Sequence, residues 1–151
     1  MKKILACVLA FVMLFAMTVA VSADADKITV LIDGTAVAFD AEPYIEEGRV
    51  LVPFRAIAEA LKMNVSWDAE TRTVIAMRSD IGIVLQIDNE KAFVNKINEA
   101  GESATAEVIL DVPARINADR TYIPLRFFSE NVGATVEWNG DTRTVTITTA
   151  K

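Results

Sequence analysis

Apolar and polar residues alternate along several short stretches of the chain, and a period of two is typical of β-strands. Residues 28–32 alternate in this way, Asp33-Gly34 follows, and the alternation resumes at residues 37–39. An Asp-Gly turn between two alternating stretches predicts a β-hairpin. Residues 83–87 alternate again and predict a further strand.

A second pattern is a duplication. Residues 49–74 align without a gap with residues 120–145, and ten of the 26 positions are identical. Unrelated stretches of this composition would share roughly one or two identities, so one structural unit occurs twice. We place the two repeats at about residues 28–79 and 83–150. The identical residues of the first copy are Arg49, Pro53, Arg55, Glu59, Val65, Trp67, Thr71, Arg72, Thr73 and Val74.

Each repeat is predicted to contain one short helix. Pro53 is expected to be the first helical residue of the first copy, because the fixed φ angle of proline suits that position. The residues that follow place an apolar face along about three turns. These residues are Phe54, Ile57, Ala58 and Leu61 in the first copy, and Leu125, Phe128, Ser129 and Val132 in the second.

The two helices are predicted to end differently. Gly133 follows the second helix and suits the left-handed conformation of a C-terminal cap. Lys62 occupies that position in the first copy, so we expect either a strained Lys62 or a cap that shifts to Asn64. After each helix, a strand, a polar turn and a β-branched strand predict a hairpin. The two hairpin-helix-hairpin units are expected to share one antiparallel sheet.

One segment is predicted to break the symmetry of the repeats. Residues 96–105 take the place of the short Asp33-Gly34 turn and amount to an insertion of about nine residues. Their polar and small side chains predict a surface loop. A tolerated extension without a role is favoured over a loop that carries specificity.

The first 23 residues predict a secretory signal peptide. Lys2 and Lys3 precede an apolar stretch at residues 4–21, and the small residues up to Ala23 suit signal peptidase. Cleavage after Ala25 and retention as a membrane anchor are the alternatives. The remaining chain has the length of one domain with a core of its own.

The composition of the predicted mature chain, residues 24–151, limits the classes of partner that it is expected to bind. Removing Lys2 and Lys3 from 15 basic residues leaves 13 against 21 acidic ones, so the net charge is 13 − 21 = −8. Nucleic acid and anionic membranes are poor partners for that charge, whereas a cationic partner or a neutral glycan remains open. Because Cys7 lies in the leader, we expect a secreted domain without disulfides, stabilised by packing alone.

Each copy carries the same pair of motifs. They are Leu51-Val52-Pro53-Phe54-Arg55 with Val65-Ser66-Trp67-Asp68, and Tyr122-Ile123-Pro124-Leu125-Arg126 with Val136-Glu137-Trp138-Asn139. Together they resemble the copper amine oxidase N-terminal-like domain, or stalk domain, which is frequent in secreted and surface proteins of Gram-positive bacteria. The resemblance implies an α+β fold, a curved antiparallel β-sheet packed on two short helices. It also implies a non-catalytic module, here expected as a stand-alone secreted member of the family.

No oxidase chemistry is expected of this chain. In the oxidases the copper and the quinone belong to other domains, and a copper site of that kind needs imidazole ligands, whereas the chain has no histidine. Neither Tyr44 nor Tyr122 lies in the Asn-Tyr-acidic setting of the quinone. Nucleophilic catalysis of the Ser-His or Cys-His kind is not expected, because the predicted mature chain has no histidine to act as base and no cysteine to supply a thiol. We therefore expect no copper, no other metal and no cofactor.

A pair of carboxylates remains an alternative source of catalysis, because two carboxylates alone can hydrolyse glycosides. The Glu residues of both repeats lie four positions after an arginine, which favours exposed ion pairs over catalytic acids. The candidate pairs are Glu59 with Glu130 and Asp68 with Asp141.

Four residues are candidate ligand contacts: Arg55, Arg126, Trp67 and Trp138. For Arg55 and Arg126, a tie between helix and hairpin is favoured over a pair of anion sites. Trp67 and Trp138 alternate in phase with a valine, which favours core packing. Exposed tryptophans at repeated positions would instead suit stacking on sugar rings, and would then be the leading binding residues.

The function predicted from these observations is that of a non-catalytic binding or spacer module at the cell surface or in the cell wall. Its expected partner is a cell-wall polymer or a surface protein. Nucleic acid, copper and stable membrane insertion after signal cleavage are not expected. The alternatives are a module that binds cell-wall glycan (peptidoglycan) and, less favoured, a carboxylate-dependent wall hydrolase.

Overall fold

The computed structural model describes residues 26–151, so the predicted signal peptide, residues 1–23, lies outside the described residues. Among the described residues, no helix is both long and apolar enough to cross a membrane. The elements in chain order are β1 (Thr29–Ile32), β2 (Thr35–Ala36), β3 (Tyr44–Glu46), β4 (Arg49–Pro53), α1 (Phe54–Ala60), β5 (Asn64–Asp68), β6 (Thr73–Arg78), β7 (Ile81–Gln86), β8 (Lys91–Ile97), β9 (Ser103–Ile109), β10 (Arg115–Asn117), β11 (Arg120–Pro124), α2 (Leu125–Asn131), β12 (Thr135–Asn139) and β13 (Thr144–Thr148).

The strands form sheets with short helices packed against them, and the predicted α+β fold class is confirmed. The strand orders are β12-β13-β1-β2, β10-β11-β4-β3 and β5-β6-β7-β8-β9, so the described strands divide among three sheets where one was expected. Adjacent strands are antiparallel except β1 and β13, which pair in parallel. This pair joins the first strand of the fold to the last, and Asp33 accepts a hydrogen bond from the backbone N–H of Thr149 at 2.9 Å.

Both helices are seven residues long, shorter than the three turns predicted. Pro53 ends β4 and caps α1, because its ψ angle of 121° is extended and the helix begins one residue later than predicted. Pro124 does the same before α2, with ψ at 113°. The predicted apolar faces are buried, apart from a half-buried Val132.

The predicted strain at Lys62 is confirmed. Lys62 has a φ of +63°, and the N–H of Met63 donates to the carbonyl of Ala58 at 2.9 Å, which closes α1 with a Schellman motif. The cap does not shift to Asn64, because that residue begins β5. The second helix ends in the same way, with Gly133 at a φ of +88°.

The core lies between the two helices and the sheets. Phe54 of α1 and Phe128 of α2 meet edge to face, with ring centroids 5.9 Å apart and an interplanar angle of 88°. The repeats also join directly through the antiparallel pair of β4 and β11. Both contacts bring a helix of each repeat close to a strand of the other.

The prediction of a surface loop at residues 96–105 is wrong for half of its length. Strands β8 and β9 extend into it from both ends and leave residues 98–102 as the turn. The N–H of Asn98 donates to the carbonyl of Glu102 at 2.9 Å, and the Asn98 side chain accepts from the N–H of Glu102 at 2.9 Å. Lys96 and Ile97 on one side of the turn pair with Ala104 and Ser103 on the other, so only the turn residues form a loop.

Candidate functional site

Two surface grooves contain the four candidate residues. The α1 groove, of about 610 Å³, is lined by Arg55 and Trp67 among others. The α2 groove, of about 740 Å³, is lined by Arg126 and Trp138. Each groove runs between a helix and the hairpin that follows it. The structure therefore brings the candidates together as one Arg-Trp pair in each repeat.

Both grooves are composite, because each takes part of its wall from the other repeat. The turn between β10 and β11 reaches the α1 groove, and the turn between β3 and β4 reaches the α2 groove. Neither repeat alone could form a complete groove. The residues contributed in this way are Ile116, Asp119 and Arg120 for the α1 groove, and Ile45, Gly48 and Arg49 for the α2 groove.

Two equivalent ion pairs join the repeats at the groove walls. Arg120 Nε lies 2.7 Å from a carboxylate oxygen of Asp40. Arg49 pairs in the same way with Asp111, and a shift of 71 positions converts one pair into the other. Because these side chains are largely exposed, each pair contributes at most about 1 kcal/mol to stability. Their main effect is to fix the position of a guanidinium group in each groove.

The prediction that the tryptophans pack in the core is wrong. Trp67 is 40% exposed and Trp138 is 39% exposed. The seven-residue helix α1 is roughly 10 Å long. The five-residue strand β5 beneath it is roughly 17 Å long. A helix of this length is too short to cover the whole strand, and on each strand the valine is half-buried whereas the tryptophan, two residues further along, is exposed.

Each groove also exposes one isoleucine from the opposite repeat. Ile116 is 43% exposed in the α1 groove and Ile45 is 41% exposed in the α2 groove. Single exposed apolar side chains are common on protein surfaces, and the internal duplication places this one at the same position of both grooves. The tryptophan and the isoleucine contribute apolar contact area to each groove, and Ile109, which is 62% exposed, adds to it in the α2 groove.

The predicted tie between helix and hairpin is present in the second repeat. Arg126 Nη1 donates to Glu130 Oε1 at 3.2 Å and to the carbonyl of Val136 at 3.1 Å, and so connects α2 to β12. Among the ion pairs of residues 26–151, none joins Arg55 to Glu59 or to Asp68. The guanidinium of Arg55 is exposed in the α1 groove.

The structure separates both candidate carboxylate pairs. Glu59 lies in the α1 groove and Glu130 in the α2 groove, whereas neither Asp68 nor Asp141 lines a groove. Asp68 Oδ1 instead accepts hydrogen bonds from two backbone N–H groups of its turn, at 2.9 and 3.3 Å. Hydrogen bonds from Thr71 lower the pKa of Asp68. A lowered pKa is the opposite of what a general acid needs.

The residues present do not fit a copper site. Copper of the amine oxidase type requires imidazole ligands, and the chain has no histidine. Within residues 26–151 no group of three or more potential ligand side chains comes together.

Sequence reasoning missed the ion pairs and the isoleucines of the grooves. A signal for them is nevertheless present, because the shift of 71 positions can be continued upstream of the aligned repeat. It then superimposes Asp40 on Asp111 and Ile45 on Ile116. The reciprocal contact between repeats requires the three-dimensional structure.

One of three comparisons with known proteins gives a match. Neither the curated proteins nor the solved structures contain a match to this chain. The family model described as the copper amine oxidase N-terminal domain matches residues 31–147, which is 147 − 31 + 1 = 117 of 151 residues. This span includes the duplicated stretches 49–74 and 120–145 and the lining of both grooves, and the description names an N-terminal domain of those oxidases. The chain therefore belongs to the copper amine oxidase N-terminal domain family.

Proposed function

We propose that the protein is a non-catalytic binding module of the bacterial cell envelope that holds uncharged sugar rings of a wall polysaccharide in its grooves. The observation that carries the proposal is the exposed tryptophan at the same position of both repeats. Trp67 and Trp138 each stand in a groove beside an Arg and a Glu of the neighbouring helix.

The chemistry of the grooves suits a saccharide. The face of an indole ring packs well against the C–H face of a sugar, while guanidinium and carboxylate groups bond its hydroxyls. Volumes of about 610 and 740 Å³ lie within the range of ligand sites. Each groove is flanked by both arginines and acids, so its charge is nearly balanced. With a mature net charge of 13 − 21 = −8, the chain favours an uncharged ligand over a polyanion.

A non-catalytic role is supported by the separation of the candidate acids. Each groove holds one glutamate of the repeated pair, and Glu130 is bound to Arg126 at 3.2 Å. The turn aspartate Asp68 is engaged with its own backbone. Secretion is supported by the apolar leader with two lysines and small residues at its end.

Retention on cell-wall sacculi tests the proposal. We expect residues 24–151 to sediment with purified sacculi and to bind a short soluble oligomer of β-1,4-linked N-acetylglucosamine. Removing a central aromatic contact typically costs about 2 kcal/mol, so we expect Trp67→Ala and Trp138→Ala to weaken binding at the altered groove by roughly thirtyfold. The matched control is Phe93→Ala, which removes an aromatic ring that is 43% exposed and lines neither groove.

Three results would contradict the proposal. One is equal retention of the wild type and the folded Trp67→Ala, Trp138→Ala double variant. Another is loss of binding in Phe93→Ala alone. The third is retention of a surface protein instead of sacculi, which would favour a protein-interaction module. Circular dichroism of every variant establishes that the fold is intact, as expected for exposed side chains.

A further inference from the structure

A local two-fold axis relates the two grooves. In the pair of β4 and β11, Val52 lies opposite Ile123, which is its own equivalent after the shift of 71 positions. An antiparallel pair in which a residue faces its equivalent has a two-fold axis at that point. The flanking pairs exchange under the same operation, as the axis requires. They are Pro53 opposite Tyr122 and Leu51 opposite Pro124.

The same two-fold symmetry relates the side chains that line the grooves. It exchanges Trp67 with Trp138, whose exposed fractions differ by only 40 − 39 = 1 percentage point. It likewise exchanges the two groove isoleucines and the two ion pairs between repeats. In these residues the grooves are equivalent, and each is assembled from both repeats, although Ile109 of the α2 groove has the smaller Ala38 as its counterpart in the α1 groove.

The symmetry fixes how a directional ligand would lie in the two grooves. A polysaccharide strand has a reducing and a non-reducing end, so its two directions are chemically different. A straight strand that passes through two equivalent points crosses the two-fold axis at a right angle, and the rotation reverses the direction of such a strand. One straight strand therefore cannot occupy both grooves with the same contacts.

We propose that the α1 groove and the α2 groove are two independent saccharide sites that one straight strand cannot fill together, so that a single chain cross-links two polymer strands. This inference rests on the proposed function and extends it from binding to bridging. Bridging by one small domain needs no oligomer, because both sites belong to the same chain. Its effect on a polymer with many sites is to multiply weak single contacts.

The first experiment counts sites on residues 24–151. Calorimetric titration with the short soluble N-acetylglucosamine oligomer is expected to give two sites per wild-type chain. Trp67→Ala and Trp138→Ala are each expected to retain one site. The control variant Phe93→Ala is expected to retain two. A wild type with one site would overturn the inference while leaving the proposed function intact.

The second experiment tests bridging with soluble glycan strands released from sacculi. Wild-type protein is expected to make the mixture turbid when protein sites and strand sites are present in similar numbers. An excess of protein is expected to clear the mixture again, because each site on a strand is then filled by a separate protein molecule that bridges to no second strand. Each single-tryptophan variant is expected to bind the strands without turbidity. Sedimentation of the protein alone checks that it is a monomer under the same conditions.

The remaining outcomes are also decisive. Turbidity that persists in either single variant, or that requires a protein dimer, would overturn bridging through the two grooves. Wild-type protein that binds neither the oligomer nor sacculi would contradict the proposed function, and the inference with it. The site count and the sacculi assay therefore distinguish the two failures.

Discussion

The two repeats share a backbone plan but differ in the local contacts that support it. At the left-handed end of the helix, the second repeat has Gly133 and the first has Lys62. Arg126 of the second repeat is bound to helix and hairpin, whereas Arg55 lies exposed in its groove. The tryptophans are nevertheless exposed almost equally. Their exposure therefore does not depend on whether the arginine of the same groove is bound to helix and hairpin.

The largest effect is expected where the core contacts of the repeats differ most. Phe128 is fully buried and packs edge to face on Phe54, while its equivalent in the first repeat is the smaller Ile57, also fully buried. We expect Phe128→Ala to lower the free energy of unfolding by about 3–5 kcal/mol, because it leaves a cavity and removes the aromatic pair. Urea denaturation followed by circular dichroism measures the change.

Two variants serve as references for this core comparison. Ile57→Ala is expected to cost about 2–4 kcal/mol, less than the aromatic residue. Phe127→Ala gives the second repeat the alanine that the first has at position 56, and is expected to cost about 1–2 kcal/mol because Phe127 is only half-buried. A larger decrease in the free energy of unfolding in either reference variant than in Phe128→Ala would contradict the expectation that the Phe128 ring contributes most to the core.

Substitutions at the C-terminal ends of the two helices are expected to have the next largest effect on stability. The effect is expected to have opposite signs in the two repeats. Gly133→Ala is expected to destabilise the protein by about 1–2 kcal/mol, because an L-residue is strained at positive φ. No other atom lies within 4 Å of a Cβ at this position, so the backbone conformation alone is tested. Lys62→Gly is expected to stabilise the protein by about 0.5–1 kcal/mol.

Thermal unfolding of the two single variants checks both signs. Gly34→Ala is a suitable control for the method, because Gly34 also has a positive φ, of +82°, but lies in a turn outside the helices. It should destabilise in the same direction as Gly133→Ala. Destabilisation by Lys62→Gly would show that the lysine side chain contributes more than its backbone strain costs.

The sequence predicted what depends on neighbours along the chain. The apolar faces of both helices, the hairpins and the strain at Lys62 follow from spacing and from the conformational limits of L-residues. The duplication at 49–74 and 120–145 predicted that every local feature would occur twice. Helix length was overestimated, because the extended ψ at Pro53 delays the first turn.

The features that were missed depend on contacts between distant segments. The parallel pair of β1 and β13 joins the ends of the described fold, and no local pattern encodes it. Burial of Trp67 was predicted from its phase with Val65, but phase gives the face of a strand and not the length of the helix above it. The composite grooves arise only when each repeat supplies a turn to the other.

The smallest expected effect is on the stability of the protein at acid pH, and it arises in the turns of the two hairpins that follow the helices. Asp68 accepts two backbone hydrogen bonds in the first turn, and Asn139 accepts the same two in the second, at 3.0 and 3.2 Å. Hydrogen bonds from Thr71 lower the pKa of Asp68 below its ordinary value of 3.8. A lowered folded pKa contributes stability that is present above the unfolded pKa and is lost as pH falls through the folded value. Only the first turn should therefore weaken below about pH 4.

Asp68→Asn should remove this part of the acid sensitivity. We expect the wild type to lose slightly more unfolding free energy than Asp68→Asn between about pH 7 and about pH 3, since the amide keeps its acceptor oxygen at both. Asn139→Asp is the reciprocal change and should make the second turn acid-sensitive. Asp33, whose pKa is lowered by hydrogen bonds from Thr149, is far along the chain from both altered turns and is present in all three proteins. Identical losses in the three proteins would show that the turn aspartate makes no pH-dependent contribution, and that the repeats differ here in sequence only.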